Sequence, residues 1–196
     1  MMNLSVTMIM FTVYVTILSK LVSSNVKLIK ITMVSGIAFG MLSYALITAL
    51  NSIEVYIMNT RGLLHVLLIG PVQEEIAKFA FFLLAYVFII RKVHLNNEEL
   101  FELRGAKNLV VLGTFIGLTL AVFENLIDYS YLTIELTLIR TIVCWPLHII
   151  TIGISAYGFN RYIITSRRIM ILSFLLLAIL IHIFYNVITT IVPFLF

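Results

Sequence analysis

Residues Leu63 to Ile90 read LLHVLLIGPVQEEIAKFAFFLLAYVFII. A helix of about 20 apolar residues spans the ~30 Å hydrocarbon core of a bilayer at 1.5 Å rise per residue. This stretch is long and apolar enough to cross, yet it carries Glu74, Glu75 and Lys78. A charged side chain at mid-bilayer depth costs at least ~3 kcal/mol on insertion scales. Two adjacent carboxylates at that depth imply partners, access to water, and chemistry.

The rest of the chain agrees with a membrane setting. Of its 196 residues 62% are hydrophobic and only 11% charged, against about 45–50% and 25% in soluble domains. Mean hydropathy is +1.13. The expected fold is all-α, a polytopic membrane helix bundle of about six transmembrane helices, at roughly 4–22, 28–50, 63–90, 108–129, 135–160 and 169–195. Residues 1–196 read as a single integral-membrane domain, with a motif-bearing core over about 63–195. Only 91–107 (RKVHLNNEELFELRGAK) reads as a charged loop. The first span reads as an anchor rather than a cleaved signal, because no Lys or Arg precedes it and Lys20 follows it.

The basic residues set an orientation. Lys20, Lys27, Lys30, Arg91, Lys92, Arg104, Lys107, Arg161, Arg167 and Arg168 fall in the connections after spans one, three and five. The other side carries only Arg61. Cytoplasmic loops are enriched in Lys and Arg, so both termini are expected outside the cytoplasm, in a multi-pass protein of the cell membrane. The same pattern explains the basic pI without nucleic acid. Cys144, the single cysteine, excludes an internal disulfide.

The polar residues inside the spans share a depth. Glu74, Glu75, His148 and His182 each lie roughly 15–20 Å from the outer end of their span, and Glu124 roughly 9 Å, at 1.5 Å per residue. One polar cluster in the outer half of the bilayer, fed by four helices, is expected. Glu74 and Lys78 are spaced i,i+4 and suit a helix-face ion pair. Glu124 and Asp128 repeat the spacing with like charge and call for a cation such as Arg140 or Lys78. His182 and Asn186 project the same way. Pro71 and Pro146 remove helix hydrogen bonds near this depth, and irregular helix is tolerated there where it lines a cavity.

The bland readings are a structural ion pair for the glutamates, interhelical hydrogen bonds for the histidines, and helix glue for Asn186. A second carboxylate exceeds what one lysine needs, and two histidines at the same depth favour chemistry. Glu124 and Asn125 suit structure as well as catalysis. His65 and His94 read as incidental. HExxH, GxSxG and GxGD-like elements are absent, and Asp128 is the only aspartate, so no aspartyl dyad exists.

Four motifs occur in order: QEEIAKF at 73–79, AVFENLIDY at 121–129, Arg140 followed by PLHIITIGISAYG at 146–158, and HIFYN at 182–186. Together they resemble the PrsW-type intramembrane proteases, in a wider group with the CAAX prenyl endopeptidases. Lys78 stands where the CAAX branch has an arginine one position later, which favours the PrsW type. The resemblance implies a membrane endopeptidase, with a membrane-anchored protein substrate such as an anti-sigma factor cut near its extracytoplasmic face. It leaves open a metallo and a glutamic mechanism.

The expected activity is hydrolysis by water activated within the bilayer. Glu74 or Glu75 is the general base, His148 orients the water, and His182 and Asn186 donate to the oxyanion. Lys78, Glu124, Asn125 and Arg140 support them. The cofactor is none or a divalent metal such as zinc, for which Glu75 (or Glu74), His148 and His182 form a His-His-Glu set. A small ion- or proton-coupled transporter and a non-catalytic scaffold are the alternatives, since intramembrane Glu, His and Lys also mark ion pathways.

Overall fold

The computed structural model describes residues 2–21, 25–58 and 62–191. They form α1 (Met2–Leu21), α2 (Val26–Met58), α3 (Gly70–Lys92), α4 (Asn97–Arg104), α5 (Ala106–Ile127), α6 (Ile134–Thr165) and α7 (Ile169–Ile191), with no strand among the described residues. The fold is the expected all-α membrane bundle. Helices α2, α5, α6 and α7 are long and apolar enough to cross a membrane, and α1 holds a shorter apolar segment, Leu4–Lys20. α3 is 23 residues long and differs in carrying Glu74, Glu75, Lys78, Arg91 and Lys92. Arg61, the basic residue assigned to the outer side, lies outside the described residues.

Two local differences from the sequence reading have clear causes. The charged loop at 91–107 contains α4. Asn96 accepts from the Glu99 backbone N–H at 2.8 Å, and Glu99 accepts from that of Asn96 at 3.0 Å, a reciprocal capping box. Lys27 Nζ then ties α4 to α2 through Glu99 at 2.8 Å and the His94 carbonyl at 2.9 Å. The second difference precedes α3. His65–Ile69 form a π-helical turn that runs directly into Gly70 and Pro71. Pro71 therefore follows a register shift rather than breaking a helix.

α5 is the central post. Leu112, Phe115, Ile116 and Leu118 are fully buried in it. It is approached on both sides through glycines spaced i,i+4, which let membrane helices come together closely. On α2, a Cβ on Gly36 would run into the Phe115 side chain, and one on Gly40 would lie 2.7 Å from Thr119 Cβ. On α5 itself, a Cβ on Gly117 would meet the backbone of His148, with its carbonyl carbon at 2.8 Å. Phe82, Ile89, Leu103, Leu112 and Ile152 fill the core where α3 ends and α5 begins. Leu18, Phe115, Leu118 and Trp145 form a second cluster against α1. The opposite ends of the helices are left to polar groups.

Candidate active site

A cavity of about 720 Å³ opens between the second half of α2, the π-helical turn, the start of α3, the end of α5, the first half of α6 and the end of α7. Glu74, Glu124, Arg140, His148, His182 and Asn186 all line it. Of the five residues expected near one depth, Glu74, Glu124, His148 and His182 meet here, and Glu75 does not.

Beneath the cavity floor lies a buried ion pair. Lys78 and Glu75 are both completely buried, and their charged groups hydrogen-bond directly. The pairing is i,i+3, not the expected i,i+4 with Glu74. One residue turns a helix by about 100°, so Glu75 points into the bundle and Glu74 onto the cavity. Lys78 Nζ also lies 3.2 Å from Thr151 Oγ1 and 3.3 Å from His148 Nδ1. An ammonium has three donors and no acceptor. His148 Nδ1 must accept, so the proton of its neutral ring sits on Nε2. That nitrogen faces Glu124 Oε2 at 3.1 Å.

His182 is held the other way round. Its Nδ1 lies 2.7 Å from Glu75 Oε1, and a carboxylate only accepts, so Nδ1 carries the proton. Nε2 is left with its lone pair, 3.8 Å from Glu74 Oε2. The two imidazoles stand edge to face with centroids 5.5 Å apart. One histidine therefore spends its N–H on Glu124, and the other keeps a lone pair for the site.

The outer wall is built on Arg140. Its Nη2 lies 3.4 Å from Glu124 Oε1, its Nε donates to Asn125 Oδ1 at 3.2 Å, and its Cζ sits 3.4 Å over the Tyr129 ring. Of the two cations offered for Glu124, Arg140 serves. Asp128 accepts from Tyr44 Oη at 3.1 Å. Asn186 Nδ2 donates to the Val66 carbonyl at 2.9 Å. The cause is upstream. Gly70 N–H bonds the His65 carbonyl, five residues back. At the next step Val66 would receive the N–H of Pro71, which has none.

Residues 25–196 match the family described as PrsW family intramembrane metalloprotease. The chain belongs to the PrsW family. It is a membrane-embedded protease, a hydrolase. The chain matches no curated protein and no solved structure.

The family description includes a metal, and the residues of this PrsW protein can be tested for one. Among the described residues, no three His, Cys, Asp or Glu side chains are placed to hold a metal ion. The set Glu75, His148 and His182 does not fit as arranged. Both His148 nitrogens are committed, to Lys78 and to Glu124. Glu75 Oε1 already meets Lys78 and His182. The Lys78 ammonium between Glu75 and His148 would also repel a dication.

Several lining residues escaped the sequence reading. Cys144 and Tyr185 meet at 2.8 Å in the wall. Arg140, Cys144 and His148 are spaced i,i+4, so helical periodicity could have found the cysteine. His65, read as incidental, lines the cavity and is buried. It gets there through the π-helical turn, which a 3.6-residue period cannot anticipate.

Proposed function

We propose that this PrsW protein is an endopeptidase that hydrolyses a membrane-bound protein with water activated by Glu74. The observation that carries this is the division between the two glutamates: Glu75 is wholly buried and paired, whereas Glu74 lines the cavity opposite the His182 lone pair. A water between Glu74 Oε2 and His182 Nε2 would give one hydrogen to each and aim its own lone pair at a peptide carbonyl. Glu74 then removes the proton. Glu75 acts through His182 by fixing its tautomer, and is a positioning residue.

The oxyanion donor follows from the same protons. The Nε2–H of His148 is spent on Glu124, whereas Asn186 has an amide N–H beyond the one given to Val66. His182 thus takes the water-orienting role first expected of His148. Glu124 and Arg140 hold His148 from outside. No step needs a metal.

The cavity lies at the helix ends opposite the basic residues. That supports cleavage near the extracytoplasmic face of the cell membrane, with both termini on that side. The whole chain, 1–196, would act as one catalytic unit. An anti-sigma-factor-like single-span protein is the substrate class that the family suggests.

The test compares Glu74→Gln with wild type on a cleavable single-span substrate in proteoliposomes. A 10²-fold or greater loss of kcat is expected, as for a lost general base, with thermal stability unchanged. Near-normal kcat in Glu74→Gln would remove the assignment.

A further inference from the structure

A protease in lipid needs a route by which a membrane-anchored chain reaches its water. Five helices surround the cavity, and most of their seams are tightly packed. α5 meets α2 and α6 through glycines. Tyr44 and Ile47 of α2, Ala77 of α3 and Leu120 of α5 pack in one buried cluster. α6 takes the Phe174 side chain of α7 against Gly158.

The seam between α3 and α7 changes character along its length. In its inner half, Ile171 and Leu175 of α7 pack on the cluster that contains Phe82. The buried side chains of α7 are Ala178, Ile179 and His182. From 183 to 191 no side chain of the helix is buried. There Asn186 donates to the Val66 carbonyl of the turn that leads into α3. Val66 and Leu68 on one flank, and Phe184 and Ile188 on the other, are exposed apolar side chains at membrane depth.

The Val66 carbonyl is unusual in a membrane helix. Its own helix cannot satisfy it, because residue 71 is proline. A backbone carbonyl left without its helical partner at membrane depth draws a donor from outside its own helix. An extended peptide brings backbone N–H groups in need of acceptors.

We propose that the outer α3–α7 seam is the side entrance for the anchored substrate, and that a substrate backbone N–H replaces the Asn186 amide at the Val66 carbonyl as the chain enters. The exchange frees the second N–H of Asn186, so that both can turn to the cleaved carbonyl. It couples substrate arrival to completion of the oxyanion site, and it rests on the protease reading above.

The test ties the seam shut. Cysteines at Val66 and Thr189, in a Cys144→Ser background, are bridged with a short reducible bifunctional thiol reagent. Two substrates are assayed before bridging, after bridging and after reduction. One is the single-span substrate in proteoliposomes, and the other is a short water-soluble peptide carrying its cleavage sequence. The expected result is at least a tenfold loss on the anchored substrate alone, reversed by reduction. Unchanged cleavage of the anchored substrate overturns the entrance, and so does an equal loss on both. If the unbridged protein cleaves neither substrate while wild type cleaves both, the seam residues belong to the catalytic centre and the entrance is overturned. If wild type also cleaves neither, the protease reading fails first and the entrance with it. A Pro71→Ala chain gives Val66 a competing N–H. A several-fold higher KM for the anchored substrate is expected, and an unchanged KM overturns the carbonyl assignment.

Discussion

Lys78 has three donors and three acceptors, in Glu75, His148 and Thr151. That satisfied ammonium fixes the protons of the whole site, because it forces His148 to accept at Nδ1. Glu75→Gln should destabilise the protein by about 3–5 kcal/mol, since it leaves a buried ammonium without its counter-ion. Lys78→Met in the same chain should recover most of that stability, as seen by thermal unfolding in detergent. Activity should stay lost in the double variant, because His182 no longer has a carboxylate on Nδ1. Full cleavage by the double variant would show that the pair serves folding alone. Metal belongs to the same scale. With the His148 nitrogens and Glu75 committed, chelation is expected to leave cleavage intact, and the purified protein to carry less than one zinc per chain. Loss on chelation with recovery on adding zinc would mean that these side chains regroup around a cation.

At the scale of the elements, the glycines of α5 place the histidine of α6. Gly117 touches the His148 backbone, so Gly117→Ala must push α6 outward or twist it. Overpacking of this kind costs about 1–3 kcal/mol. The expected outcome is a modest fall in thermal stability with a larger fall in kcat, since His148 Nε2 moves relative to Glu124. A kcat that falls no more than the folded fraction would separate the glycine from the site. The sequence revealed much at this scale and missed the rest for physical reasons. Hydropathy found the long helices because a bilayer demands their length. Because rise per residue is fixed, it also put Glu74, His148 and His182 at one level, and the three line one cavity. It missed α4, whose eight residues are held by a cap and by Lys27 rather than by an apolar face. It also placed Lys78 on the wrong glutamate. Spacings i,i+3 and i,i+4 are equally open in a free helix, and the choice was made by Thr151 and His148 on α6.

At the scale of the whole molecule, charge and cavity lie at opposite ends. The ten basic residues at the ends of α1, α3, α4 and α6, at the starts of α2 and α5 and just before α7 mark one end, and Thr48, Leu147 and Thr189 line the cavity at the other. Cytoplasmic enrichment of Lys and Arg then predicts a cavity reached from outside the cell. Cysteines at Thr48 and at Leu147, one at a time in a Cys144→Ser chain, should react with a membrane-impermeant thiol reagent added to intact cells. A cysteine at Glu98 in α4 should react only after the membrane is opened. Thr48 tests the α2 wall and Leu147 the face beside His148, so agreement between them reports the cavity rather than one exposed helix end. Labelling of Glu98 alone from outside would invert the orientation and move the proposed cleavage to the cytoplasmic face. Protection of Leu147 by the single-span substrate, with Glu98 unaffected, would tie the water-filled space to the peptide that it is meant to receive.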